Sequence, residues 1–286
     1  MTNLNSKIEW TDTTWSPVTG CTKISAGCDN CYAEGIARRF AGGKAFPNGF
    51  EVTLRPHRLG DPLKWRKPRR VFVNSMSDLF HDDIPDEFIA QVFAVMAATP
   101  QHTYQILTKR HGRMRSLLSS ERFRLLVVDA RITLNGGQYE RDHENYPLPN
   151  TWLGVSVEDQ QWADIRIPAL LQTPAAVRFI SFEPLLGPVQ LTQWTTVWAT
   201  TSTNRGWGYG GATVTASIPG LSWAIVGGES GRRHRPMDID AAADLIDQLM
   251  AAHVAVFVKQ DSGPVPGMQG RIPDELWIKQ FPEPVW

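Results

Sequence analysis

Short apolar runs without strict polar alternation recur along the chain, most of them followed by a stretch of helical spacing. The runs at 71–75, 103–108, 152–157, 177–182, 221–226 and 254–258 predict strands buried on both faces, because a half-exposed strand would alternate. Between them, helices are predicted at about 86–98, 112–124, 160–172 and 240–252. Strands interleaved with helices build a parallel sheet covered by helices. Six such units predict an α/β fold of the parallel (β/α) type, a partial or closed TIM-like barrel. A doubly wound sheet is the alternative.

Three stretches depart from this rhythm. Residues 8–18 form an extended lead-in rich in β-branched and aromatic side chains, which Pro17 and Gly20 end. A cysteine loop follows, and Asp29 or Asn30 is expected to cap a helix through Cys31, Ala33, Ile36 and Phe40 that stops at Gly42–Gly43. Residues 134–150 are expected to be a long loop. Residues 192–220, rich in Thr, Gly and Trp, are expected to be an insertion, a β-hairpin flap around Asn204, Arg205 and Gly206. The proline-rich segment from Ser262 to Trp286 is expected to wrap the surface. The whole of 1–286 is expected to form one barrel-like domain.

Charge changes little in this picture. Lys and Arg total 29 and Asp and Glu total 29, so no global field points to nucleic acid or membrane. No apolar run is long enough to span a bilayer, and the polar start is no signal peptide, so a cytoplasmic location and no membrane partner are expected. Two stretches are locally basic. Arg55 to Arg70 holds Arg55, Arg58, Lys64, Arg66, Lys67, Arg69 and Arg70, and Lys109 to Arg124 adds Lys109, Arg110, Arg113, Arg115, Arg122 and Arg124. Each is either a solvated helix face or a phosphate-binding face suited to a nucleic acid or nucleotide substrate.

The candidate chemistry begins with the cysteines. All three, Cys21, Cys28 and Cys31, lie within eleven residues, spaced C-x6-C-x2-C. An odd count makes no disulfide framework, and metal ligation accounts for the clustering. Structural zinc takes four ligands, and no second Cys or His pair stands in the sequence, although one dispersed histidine could complete a zinc site. A [4Fe–4S] cluster on three thiolates leaves one iron open, the arrangement that binds S-adenosylmethionine. Zinc stays open as the alternative cofactor.

The strand ends carry the remaining polar chemistry. They deliver Asn74, Ser75 and Asp78, then Lys109, Glu158, Glu183, the triplet Gly227–Gly228–Glu229 with Ser230, and Lys259. In a parallel barrel these positions converge on the C-terminal mouth, where active sites lie. Asp78 and Ser230 are also ordinary helix-capping residues. Glu158, Glu183, Glu229 and Lys259 directly follow apolar strand cores and are the candidate catalytic groups. Asn74, Ser75, Asp78, Gly227, Gly228 and Ser230 are the candidate cofactor-binding residues. His81 is a candidate for proton transfer.

Ile8–Asp12, Val18–Cys21, Val73–Phe80, Trp152–Asp159, Phe182–Leu186 and Val226–Gly231 resemble a family of phage and prophage proteins with a three-cysteine motif, often encoded beside a three-Cys-motif partner protein. That resemblance implies such a partner. A more distant likeness is to radical S-adenosylmethionine enzymes, which implies a partial barrel with the cluster near its mouth. The usual spacing there is C-x3-C-x2-C with an aromatic residue before the last cysteine. Here the first gap is six residues, and Tyr32 follows the last cysteine. Asn74, Ser75 and Asp78 occupy the early strand end at which that superfamily holds the methionyl amine. The expected function is therefore a radical S-adenosylmethionine enzyme that generates a 5′-deoxyadenosyl radical to modify an unknown substrate. Two rivals stay open: a hydrolytic or structural zinc protein, and a non-enzymatic module binding nucleic acid or a partner.

Overall fold

The computed structural model describes residues 6–139, 145–201 and 212–283. Eleven strands form among them: β1 (Thr13–Trp15), β2 (Val18–Thr19), β3 (Thr53–Leu54), β4 (Arg70–Val73), β5 (Thr103–Thr108), β6 (Thr151–Ser156), β7 (Val177–Phe182), β8 (Thr196–Thr201), β9 (Ala212–Ser217), β10 (Trp223–Gly227) and β11 (Ala255–Gln260). The helices are α1 (Tyr32–Arg39), α2 (Asp86–Ala97), α3 (His111–Leu118), α4 (Glu121–Leu134), α5 (Gln160–Leu171) and α6 (Ile239–Ala251).

Seven strands pair in parallel in the order β1-β4-β5-β6-β7-β10-β11, which is their order along the chain. A doubly wound sheet reverses direction at a switch point, and none exists here. Right-handed crossovers taken always the same way place the helices on one face, and the sheet curls into a half-barrel. β1 and β11 do not pair with each other, so the barrel is partial and not closed. The lead-in supplies β1 as a seventh, edge strand.

Residues alternate between two cores. Val71, Val73, Tyr104, Ile106, Leu153, Val155, Ile180, Phe182, Ala224, Val226, Val256 and Val258 belong to the large cluster that also takes in the buried faces of α2, α5 and α6. The intervening positions fill the concave side in rows fixed by register. Phe72, Gln105 and Trp152 form one row; Leu107, Gly154, Phe179 and Trp223 the next; Ser156, Ser181, Ile225 and Phe257 the third. Gly154 is required, because a Cβ there would lie 2.5 Å from the Phe179 ring. The first rows are dominated by tryptophan and phenylalanine, with Trp10 from the lead-in 4.6 Å from Phe72. The rows grow polar toward the C-terminal ends of the strands, the face on which ligands bind in such folds.

Several elements differ from expectation. The basic helix expected over 112–124 is two helices, because Ser120 interrupts the first and caps the second by accepting a bond from the Phe123 N–H. α4 then continues to Leu134, so the long loop starts later; its residues 140–144 lie outside those described. Between β7 and β10 the insertion forms the antiparallel hairpin β8–β9, which lies beside α6. Its expected tip at Asn204–Gly206 lies outside the described residues. The segment after β11 runs along that strand's free edge, where the Val258 N–H donates to the Ile278 carbonyl and the Gln280 N–H to the Val256 carbonyl, both at 2.8 Å. Lys279 reaches Glu9 at 2.6 Å, and the Phe281 ring stacks on Trp223 at 5.5 Å with the Arg70 guanidinium on it at 4.1 Å. No described helix is long and apolar enough to cross a membrane.

Candidate functional site

The cysteine loop lies over the C-terminal ends of the strands, and three carboxylates from those ends hold it there. The first is Asp78, just beyond β4. It accepts from the Thr108 hydroxyl at 2.7 Å and the Lys109 N–H at 3.0 Å, and Arg110 lies 3.4 Å away. Arg110 in turn donates to the Cys21 Sγ at 3.4 Å and to the Thr22 hydroxyl at 2.7 Å. Thr22 Oγ1 also bonds the His81 Nε2 at 2.8 Å.

The second is Glu158 after β6, fully buried. Its Oε2 accepts from Arg166 at 2.8 Å; its Oε1 accepts from the Ser25 hydroxyl at 2.8 Å and lies 3.0 Å from the Lys109 Nζ. The Arg166 side chain is also wholly buried, so two charges compensate each other in a dry setting where neither is tolerated alone. The third is Glu229 after β10. It accepts from the Asn30 amide at 2.9 Å and from Arg235 through both oxygens, at 2.7 and 3.1 Å. Arg235 extends to the Ala26 carbonyl at 2.8 Å and to Asp29 at 3.4 Å.

These contacts explain how α1 starts. Asn30 and Asp29 are drawn to Glu229, Arg233 and Arg235, so neither caps the helix. Cys31 is the N-cap instead and makes no side-chain capping bond, which leaves its sulfur free. Cys21 follows β2, and Cys28 ends a short 3-10 turn over Ala26–Cys28. All three cysteines are free thiols, half-buried. Burial first, and Asp78 second, push the Cys21 thiol up to about 11 against the counter-effect of Arg110, so any metal must displace a proton there.

The predicted site residues thus fall into separate groups. Asp78, Glu158 and Glu229 are occupied with the cysteine loop. Glu183 and Lys259 pair with each other across the mouth, each side chain 18% exposed, and among the described residues neither side chain hydrogen-bonds or ion-pairs with the loop. Asn74 is buried at a φ of 59°, its Oδ1 accepting from the Val18 N–H and its Nδ2 without a partner. The Ser75 carbonyl accepts the Tyr32 hydroxyl at 2.6 Å. Gly227 sits where the β10–β11 register slips. The missing Cβ of Gly228 makes room for Ser262, whose backbone N would be 2.3 Å away, and Ser230 bridges to Gly263. That glycine pair accommodates the chain's own backbone.

Sequence reasoning missed Arg110, Arg166 and Arg235 as parts of this assembly. Arg166 left a signal: it stands on the apolar face of α5 with Ala163, Ile167 and Leu170, where a charge requires a buried partner. Most of the two basic stretches also serve structure. Arg55 donates to the Lys44 and Ala45 carbonyls, and Arg70 pairs with Asp12. Arg113 binds the Ile84 carbonyl and Asp86, and Arg115 binds Gln172.

Burial raises the cost of charging Glu229, but the bonds from Arg235 and Asn30 outweigh it and hold this carboxyl below the usual range. Burial, then the nearby Arg110, keeps His81 below an ordinary histidine despite the adjacent aspartates. Among the described residues no three His, Cys, Asp or Glu side chains form a group that could hold a metal ion. A single tetrahedral zinc gathers its sulfurs to within about 4 Å of one another, whereas a cubane cluster holds them farther apart. Three unbridged thiols on one fastened loop, with no fourth cysteine in the chain, fit the donor set of such a cluster.

No curated protein and no solved structure matches the chain. Residues 5–271 match the family described as "Protein of unknown function (DUF5131)", and the chain belongs to that family.

Proposed function

We propose that the protein is a radical S-adenosylmethionine enzyme, its half-barrel a member of the TIM-like class such enzymes use. Cys21, Cys28 and Cys31 would hold a [4Fe–4S] cluster. With S-adenosylmethionine on the open iron, that cluster supplies reductive cleavage to a 5′-deoxyadenosyl radical for hydrogen abstraction from a substrate. The single observation behind this reading is the fastening of a three-thiol loop across the strand ends by Asp78, Glu158 and Glu229.

The chain's own residues divide the work. Arg110 places a cationic donor on the Cys21 sulfur, which partly offsets the burial and the Asp78 charge that hold that thiol protonated. Glu158 and Glu229 hold the loop in one position, so ligands need not be gathered from a mobile segment. Glu183 and Lys259 remain to meet a bound small molecule: Lys259 offers a cation to a carboxylate, and Glu183 an acceptor to an ammonium or a sugar diol. The Nδ2 of Asn74 is an unused donor at the early strand end. A reducing cytoplasm would keep the thiols available.

Anaerobically purified protein decides the matter through iron and sulfide content, absorbance near about 400 nm, and release of 5′-deoxyadenosine under dithionite. Iron and sulfide in cluster ratio and cleavage lost in Cys28→Ala are expected. Zinc without a chromophore would overturn the proposal in favour of a zinc protein. A full cluster that never cleaves S-adenosylmethionine would leave a cluster-stapled binding module.

A further inference from the structure

α1 and its C-cap residue Phe40 carry an exposed apolar row, of which the fold engages only the Tyr32 hydroxyl, through the Ser75 carbonyl. Ala33 and Ala37 are buried, while Tyr32, Ile36 and Phe40, one turn apart on another face, are 52%, 39% and 54% exposed. Among the described helices only α1, counted with its C-cap, ranges three large exposed apolar side chains in succession. The row begins at the last cysteine.

The surroundings of the row are basic. Residues 20–49 and 229–235 hold seven Lys and Arg against three Asp and Glu, on a chain whose total charge is zero. The two segments are joined: the Asn30 amide donates to the Arg233 carbonyl at 2.9 Å, and Arg235 to the Ala26 carbonyl at 2.8 Å. Arg235 is engaged by Glu229 and Asp29, and Lys23 and Arg38 share Glu34. Arg39, Lys44, Arg232 and Arg233 are exposed and pair with no carboxylate among the described residues. Elsewhere, the exposed Lys64, Arg66 and Lys67, also without a carboxylate partner, lead into the N-terminal end of β4, at the far end of the sheet, while the exposed Arg115 on α3 is engaged by Gln172.

From this we infer that the rim of the cysteine loop is a binding surface for single-stranded nucleic acid. Unpaired cations meet the phosphates, and Tyr32 and Phe40 offer flat faces on which unpaired bases stack. Cationic grooves interleaved with exposed aromatics are how chains without sequence preference hold single strands. A protein partner would cover the apolar row equally well, but it would leave the unpaired cations unexplained. That the bound strand is also the substrate rests on the function proposed above; the surface itself does not.

The test is fluorescence anisotropy of the full chain with a fluorescein-labelled oligothymidylate of about 15 nucleotides, with and without the cluster, across a salt series. Saturable binding that weakens linearly in log salt is expected. Arg232→Ala/Arg233→Ala should weaken it about ten-fold and flatten the slope by about 1.4, the share of two phosphate contacts. Phe40→Ala should weaken it about five-fold or more with the slope unchanged. Arg66→Ala/Lys67→Ala, at the far end, should change it less than two-fold. All these side chains are exposed, and matching circular dichroism and Tm establish that each variant folds. No saturable binding at low salt, equal weakening by the far pair, or an unaffected Phe40→Ala would overturn the inference. So would a stable dimer of the chain that Phe40→Ala dissolves, because the row would then be covered by protein. Failure of 5′-deoxyadenosine release with oligonucleotide bound sinks the enzyme proposal alone, whereas cleavage without oligonucleotide affinity sinks this one alone.

Discussion

Gly27→Ala places one methyl group at the tightest contact between the cysteine loop and the strand ends. A Cβ at position 27 would lie 2.5 Å from both Cγ and Oε1 of Glu158 and 2.8 Å from its Cδ, where ordinary contact begins at 3.4 Å. Glu158 cannot yield, because Arg166 holds one oxygen at 2.8 Å and Ser25 and Lys109 hold the other. The loop must therefore lift, which breaks the Ser25 bond to a charged acceptor at about 1.5–3 kcal/mol. Overpacking that cannot fully relax adds about 1–3 kcal/mol. Together these loosen the loop by about 2.5–6 kcal/mol, which raises its open population by about two to four orders of magnitude. Trypsin cleavage at Lys23, exposed but within the loop, reads that population when reclosing outpaces cutting. We expect cleavage at least ten-fold faster and lower iron uptake. Gly35→Ala is the contrast: its Cβ meets nothing within 4 Å inside α1, and it should stabilise by about 0.5–1 kcal/mol. Lys23 cleavage unchanged in Gly27→Ala would falsify the claim that the loop rests on Glu158.

Three further outcomes are expected. Arg235→Ala removes the link from Glu229 to Ala26 and Asp29, so it should speed alkylation of Cys28 and Cys31 while leaving the unfolding free energy measured in urea within about 1 kcal/mol of the parent; equal alkylation rates would refute it. Trp223→Ala empties the centre of the concave core, where Trp223 is fully buried among Trp10, Trp152, Phe179, Phe257 and Phe281, and should cost about 3–5 kcal/mol by urea denaturation. Stability should fall on acidification in two stages. His81, His102 and His111 are held below the usual histidine value, chiefly by burial, so their contribution is complete above about pH 6.5 and is lost as pH falls through their depressed values. Asp12, Glu229 and Asp261 are depressed by arginine partners that outweigh burial, so theirs persists to about pH 4.5 and disappears below it. Denaturation series at about pH 7.5, 5.5 and 3.5 separate the stages, and a flat profile between the first two would contradict the histidine assignment.

The sheet was legible because continuous apolar runs mark strands buried on both faces, and β5 and β7 fall at the expected residues. Winding direction was not legible, since the same runs serve one-way and two-way winding, and only the crossovers distinguish them. The break between α3 and α4 turned on Ser120, a capping residue among ordinary helix formers. At the mouth, the sequence placed carboxylates at the strand ends but could not reveal their partners. Ser25 and Glu158 are 133 residues apart and Arg235 and Ala26 are 209 apart, distances over which spacing carries no information. Gly27 hid its role for the same reason: nothing local distinguishes a glycine that must be small from one that must be supple.

The seam between β11 and the lead-in is sealed by the stretch around Ile278–Phe281 and by the Lys279–Glu9 clasp, where a complete barrel would have another strand. Losing the Ile278–Phe281 stretch would strip the cover from the β11 edge, leave its backbone groups unpaired, and uncap the aromatic plug beneath Phe281. Shortened versions of the protein that stop before Leu276 should therefore self-associate edge to edge as they emerge from synthesis, even though every cysteine and every carboxylate of the mouth is still encoded.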